Sequence, residues 1–162
     1  LFFDNPSKSF QIRELSRLTK IPKTSVQRII QRLLKQKIIL CNKRGIFPSY
    51  SANEINFWYK YYKKYFLLEE IYKSGLVDYL NELIHPQCII LFGSGAKGDY
   101  VQKSDLDIFL FCSEKNVHLL KFEKKLKRKI NLLFKENYDF LSPELFNNII
   151  NGIKLSGYIK LK

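Results

Sequence analysis

The tightest constraint on how this chain can fold lies in Ile89–Phe111, IILFGSGAKGDYVQKSDLDIFLF. An apolar run from Cys88 to Phe92 stops at Gly93-Ser94, passes Gly95 and Gly98, and resumes as Leu106 to Phe111. Short apolar runs bounded by glycines read as buried strands. The stretch therefore predicts a strand, a phosphate-cradling turn, a short helix and a second strand. Two carboxylates, Asp105 and Asp107, stand at the entrance of that second strand.

The chemistry follows from geometry. Gly93 has no Cβ, so the backbone there can approach a ligand closely. Successive N–H groups at the turn can hold phosphate oxygens, with the Ser94 hydroxyl as a further donor and Lys97 as a nearby cation. Asp105 and Asp107 are two apart on a strand and so share a face. Two convergent carboxylates beside a phosphate turn suit Mg²⁺, which combines a few carboxylates with substrate phosphate oxygens. A hydroxyl activated there could attack the α-phosphate of a nucleoside triphosphate and expel pyrophosphate. The glycines are not a Walker loop, because no GK[ST] follows. They match GxGxxG by spacing, but the helix before Asp105 is too short for a dinucleotide fold, and the acidic residue that fold needs about 20 residues on is missing.

Around this centre the periodicity is readable. Leu76–Ile84 predicts a helix closed by His85-Pro86. Residues 116–128 predict a basic helix with Val117, Leu120 and Leu126 inward. Lys129–Phe134 predicts a strand, and Ser142-Pro143 opens a last helix as N-cap and first turn. His85 and His118 lack ligand-spaced partners and read as cap or surface residues. Residues 52–73, with no Gly or Pro, predict one long helix crowded with Phe57, Trp58, Tyr59, Tyr61, Tyr62, Tyr65 and Phe66. More aromatic surface than one face can bury suggests a protein–protein contact.

The first third differs. Residues 1–50 carry eleven Lys/Arg against two Asp/Glu, within a chain of net charge +13. Charge concentrated in that way argues for a basic binding face. Ile12, Leu15 and Leu18 share a helical face, Pro22 breaks the helix, and Val26, Ile29, Ile30, Leu33 and Leu34 line a second one. Lys23, Thr24, Gln27, Arg28 and Gln31 lie on that helix's outer face. Ile38–Leu40 and Ile46-Phe47 predict a hairpin with Lys43 and Arg44 at its tip. The run IRELSRLTKIPKTSVQRIIQRLLKQKII resembles winged helix-turn-helix domains of prokaryotic regulators. That resemblance implies that Gln27, Arg28 and Gln31 meet base edges, that Lys43 and Arg44 meet phosphate or minor groove, and that the protein dimerises on two half-sites. The organisation expected is a winged helix-turn-helix over 1–51, the aromatic helix over 52–73 and a small mixed-sheet domain over 74–162, an α+β protein.

An apolar content of 46% supports a packed core, and no run reaches membrane-spanning length. The three cysteines, odd in number and without CxxC spacing, read as reduced core residues of a cytoplasmic protein. The first residues, Leu1-Phe2-Phe3, read as the tail of an element, so the natural start is expected to lie upstream.

The run GSGAKGDYVQKSDLDIFLF resembles the GSxAxG-x5-SDxDxxL signature of the DNA polymerase β-like nucleotidyltransferase superfamily, in its minimal prokaryotic members. It carries Gly93, Ser94, Ala96, Gly98, Ser104, Asp105 and Asp107 in register, and with its flanks covers about residues 74–160. The resemblance implies a mixed sheet with helices and a Mg²⁺ held by Asp105 and Asp107. It also implies an NTP contacted by Gly93, Ser94, Lys97 and Ser104, and nucleotidyl transfer to a protein or nucleic acid, including a toxin-like partner. Fusions to winged helices are of archaeal type. The superfamily places a third carboxylate on a neighbouring strand, and the candidate here is Asn131, with Glu136 or Asp139 as substitutes if the loop folds back. The alternative is a regulator whose degenerate transferase domain only senses nucleotide.

Overall fold

The computed structural model describes residues 1–43, 45–137 and 141–159. The chain divides into two compact units, Leu1–Lys63 and Lys64–Lys162.

In the first unit, β1 (Phe10–Gln11) leads into α1 (Ile12–Thr19) and α2 (Lys23–Lys35), followed by β2 (Ile39–Asn42) and β3 (Ser49–Ala52). Lys20, in the left-handed conformation, ends α1, and the Ser16 hydroxyl donates to the Ile21 carbonyl across the turn. Leu15, Val26, Ile30, Ile38, Ile39 and Tyr50 form the core. Leu18 and Ile29, expected inward, are exposed. The strand returning from the hairpin is Ser49–Ala52 and not Ile46-Phe47; Ile46 is 95% exposed. The reason is alternation. Tyr50 and Ala52 point into the core, and β3 pairs with β2 on one side and β1 on the other. Two partners hold a serine-containing strand that sequence propensity would pass over.

The helix expected from residue 52 begins later, as α3 (Phe57–Ser74). Ala52 is still paired with Ile39, and the Asn56 side chain accepts from the Tyr59 N–H at 3.1 Å as a helix cap. Tyr59 enters the first unit's core, while Leu67 and Ile71 enter the second's.

The second unit continues with α4 (Leu76–Ile84), β4 (Cys88–Phe92), α5 (Gly93–Lys97), β5 (Leu106–Phe111), α6 (Leu120–Leu126), β6 (Ile130–Lys135), α7 (Pro143–Ile150) and β7 (Ile153–Gly157). The sheet order is β6-β5-β4-β7, with β5 and β6 parallel and the other pairs antiparallel. Strand β7 lies outside the sequence expectations, and it makes β4 an interior strand. The basic helix is shorter than residues 116–128; Phe122 is its buried residue, Val117 and Leu126 pack half-buried against the same core as expected, and Leu120 is 72% exposed. Alternation along β4 and β5 sorts the side chains onto two faces. Ile89, Leu91, Leu106, Ile108 and Leu110 join α3, α4 and α6 in the main core. Cys88, Ile90 and Phe109 form a smaller core with Ile149 of α7. Of the cysteines, Cys88 is buried, Cys112 half-buried and Cys41 exposed, so the expectation of three core cysteines fails at Cys41. No helix among the described residues is long and apolar enough to cross a membrane.

Candidate functional site

The site is built where β4 ends and β5 begins. The antiparallel register sets Phe92 opposite Asp107, which brings the turn after β4 against the aspartate strand. Gly93 has φ +67°, and a Cβ built on it would lie 2.5 Å from Asp107 Oδ2. Glycine is thus required twice, by conformation and by the carboxylate seated over it. Gly93 opens the five-residue α5, which is closed by Gly98 with φ +77°, whose N–H turns back to the Gly95 and Ser94 carbonyls. The antiparallel pairing of β4 with β5 excludes the parallel βαβ arrangement that a dinucleotide fingerprint needs.

The parallel register of β5 with β6 sets Asp107 opposite Asn131. The Asn131 amide Nδ2 lies 3.1 Å from Asp107 Oδ1 and 3.4 Å from Asp105 Oδ2, bridging the two carboxylates. Asp105 and Asp107 are half-buried and Asn131 is exposed, so the group opens to solvent at one end of the face that carries α7. The register puts Glu136 beyond the far end of β6, five residues from Asn131, too distant to replace it; Asp139 lies outside the described residues. Among the described residues no cluster of three or more His, Cys, Asp and Glu exists, so the site is two carboxylates and an amide.

The other expected nucleotide contacts fall nearby. Ser94 is half-buried at the start of α5, and its carbonyl accepts from the Asp99 N–H at 3.0 Å. Lys97 Nζ lies 3.1 Å from Asn148 Oδ1 of α7. The Ser104 hydroxyl accepts from the Val101 N–H at 2.8 Å, closing the turn that delivers Asp105. In the first unit, Lys23, Thr24, Gln27, Arg28 and Gln31 are all exposed on α2, and Lys43 is exposed in the loop after β2. Arg44 lies outside the described residues.

Two residues near the site show their role only in the fold. The Arg128 guanidinium donates to the carbonyls of Val101, Gln102 and Ser104 and stacks 4.7 Å from the Tyr100 ring centre. It clips the Asp105 loop to the start of β6. Lys129 sits next, its carbonyl accepting from the Leu106 N–H at 2.8 Å. The signal was present in the tract Lys127-Arg128-Lys129, immediately before the strand that carries Asn131. Only the strand pairing reveals what that tract touches.

A mixed sheet with paired aspartates set over a glycine turn defines a nucleotidyltransferase-type domain. The model of the polymerase beta, nucleotidyltransferase family matches residues 74–155, and the chain belongs to that family. No curated protein matches it.

Proposed function

We propose that this protein is a DNA-binding nucleotidyltransferase-like protein that takes a nucleoside triphosphate with Mg²⁺ at Asp105 and Asp107. The observation that carries the reading is the convergence of both carboxylates on the Asn131 amide beside Gly93. The donor set fits the cation, since the carboxylate oxygens of Asp105 and Asp107 are the hard ligands Mg²⁺ accepts. Gly93 and Ser94 receive the triphosphate, and Lys97 adds positive charge. Bound Mg²⁺ would offset charge developing on the transferred phosphate. In transfer, an acceptor hydroxyl oxygen bonds to the α-phosphorus as that atom's bond to pyrophosphate breaks. Asn131 has no basic atom to take the hydroxyl proton, so the proton passes to water. Absence of a general base costs on the order of 10²–10⁴ in rate.

The same residue favours a second reading, a regulator that binds nucleotide at this site without turning it over. Labelled NTPs with Mg²⁺ separate the two. Label transferred to a protein or nucleic acid, and abolished by Asp107→Ala, supports the enzyme, including an antitoxin-like one that modifies a toxin-like protein. Tight NTP binding with no transfer supports the sensor.

The DNA-binding half of the proposal is a winged helix-turn-helix built from α1, α2 and the β2–β3 hairpin. Its support is the exposed row Lys23, Thr24, Gln27, Arg28 and Gln31. A cytoplasmic homodimer reading paired half-sites is the assembly that fits this mode. Duplex affinity unchanged after joint Arg28→Ala and Lys43→Ala substitution would remove this half of the proposal.

A further inference from the structure

The Asp105–Asp107 strand stands between two differently equipped edges. On the β4 side lies the Gly93-Ser94 turn; on the β6 side lie Lys127, Arg128 and Lys129. Arg128 is committed to carbonyls of the Val101–Ser104 loop, which ties the loop that carries Lys103 to the segment that carries Lys127 and Lys129. Lys103, Lys127 and Lys129 are exposed, and their ammonium groups form no hydrogen bond or ion pair among the described residues. Lys129 immediately precedes β6, and its carbonyl accepts from the Leu106 N–H at the start of β5. Two lysine-bearing segments thus meet at the β6 edge of the aspartate strand, on the side away from the phosphate turn.

We propose that Lys103, Lys127 and Lys129 form a binding edge for the phosphate backbone of a single-stranded polynucleotide, the acceptor brought to Asp105 and Asp107. The assignment rests on the nucleotidyl-transfer reading of the site and adds the substrate class. Lysines on flexible stems suit a chain of phosphates, which needs charge in sequence more than fixed geometry. A triphosphate held at Gly93-Ser94 leaves this opposite edge free. Arg128 acts as a positioning residue, its guanidinium holding the two lysine-bearing segments together.

The test uses the full-length protein and a fluorescein-labelled single-stranded RNA of mixed sequence, read by anisotropy across a salt series. Lys103→Gln/Lys127→Gln/Lys129→Gln is expected to weaken RNA binding about tenfold at moderate salt. The slope of log affinity against log salt should become shallower by about 2, since each phosphate contact contributes about 0.7 for single strands. A Lys154→Gln variant, on β7 at the opposite edge of the sheet, serves as control and should leave RNA binding unchanged. Photo-crosslinking of thiouridine-containing RNA to the unsubstituted protein should label peptides spanning 101–105 or 127–131, a readout independent of any variant's folding. Crosslinks confined to the first unit, or an unchanged slope in the triple variant, would overturn the assignment. So would an equal loss of binding to poly-glutamate, which would give the edge to acidic protein. Mg²⁺·NTP affinity, titrated separately by calorimetry, should be the same in the triple variant. Its loss there would give the lysines to the triphosphate and overturn the proposal, while its absence in the unsubstituted protein would instead remove the underlying nucleotide-site reading.

Discussion

Replacing Asn131 by Asp tests the site most directly, because it converts the amide that bridges two carboxylates into a third carboxylate. The amide now donates at 3.1 and 3.4 Å to Asp107 and Asp105, and Asn131→Asp removes both donors. In their place come two like-charge contacts at about 4 Å, each worth about 1 kcal/mol where the surroundings are close to bulk water. The open position of Asn131 argues for that low figure. Adding two solvent-exposed hydrogen bonds lost, at the lower end of about 0.5–1.5 kcal/mol each, gives a destabilisation of about 3 kcal/mol without metal. For a chain of this size that is a fall in Tm of roughly 6–12 °C. Mg²⁺ should reverse the fall, because the same three carboxylates then share a cation. Transfer of label from NTP, measured with the acceptor in excess, should rise on the order of 10²–10⁴ fold as a proton acceptor is restored. The assays are thermal denaturation with Mg²⁺ or with EDTA, and single-turnover transfer. If the variant is no less stable than the parent in EDTA, and Mg²⁺ does not distinguish them, Asn131 does not stand between the two aspartates and the reasoning fails.

Gly93→Ala should be severe, because the new Cβ would meet Asp107 Oδ2 at 2.5 Å and the residue would be held at φ +67°. A stability loss of about 1–2 kcal/mol is expected from the conformation alone, with Mg²⁺·NTP affinity in calorimetry falling at least about tenfold as Asp107 is displaced. Burial, aided by Glu54 and Asp4, pushes the Tyr59 phenol well above its ordinary range. A raised acid contributes stability that is complete below its unfolded pKa of about 10 and is lost as pH climbs beyond it. Denaturant midpoints of the parent should therefore fall above about pH 10. Tyr59→Phe, which loses the 2.9 Å bond to the Phe2 carbonyl, should be about 1 kcal/mol less stable at neutral pH and lack that alkaline component. Iodoacetamide followed by mass spectrometry should modify exposed Cys41 first and buried Cys88 last, with Cys112 slowed because burial raises its thiol pKa.

What the sequence disclosed about the site, and what it withheld, divides by distance along the chain. Gly93, Asp105 and Asp107 belong to one continuous stretch, and their roles follow from local rules: a glycine where φ is positive, two acids at strand spacing. The α4 bounds, Leu76–Ile84, and the Ser142 cap of α7 were legible for the same reason. Strand β3 was misplaced because Ser49–Ala52 acquires its strand character from β1 and β2, at distant positions in the chain. Strand β7 was missed because Ile153–Gly157 reads as a continuation of the preceding helix until β4 pairs with it. Leu120 was assigned inward by counting helical turns from residue 116, but the helix starts only at Leu120 and the phase shifts with it. Arg128 illustrates the general limit. Its partners lie 24 to 27 residues away and are backbone carbonyls, which carry no residue identity for a sequence to display.

Charge at the end of the sheet sets the order in which ligands bind under the proposed function. The site carries two carboxylates, and the position opposite Asp107 on β6 is an amide, so it attracts a free divalent cation less than a three-carboxylate site would. The same changes make it more hospitable to phosphate oxygens, which an extra carboxylate would repel. The cation is therefore expected to enter with the nucleotide and to take part of its coordination from the triphosphate, as Mg²⁺ commonly does. A ligand present at a hundred times its dissociation constant stabilises the folded state by about 2.7 kcal/mol. At millimolar concentrations Mg²⁺·NTP should raise Tm by several degrees, while Mg²⁺ alone moves it little. In Asn131→Asp the ranking should shift, with Mg²⁺ alone recovering most of the lost stability. Equal stabilisation of the unsubstituted protein by Mg²⁺ alone and by Mg²⁺·NTP would show that Asp105 and Asp107 hold the cation without the nucleotide's help, and the amide at position 131 would then no longer account for the site's character.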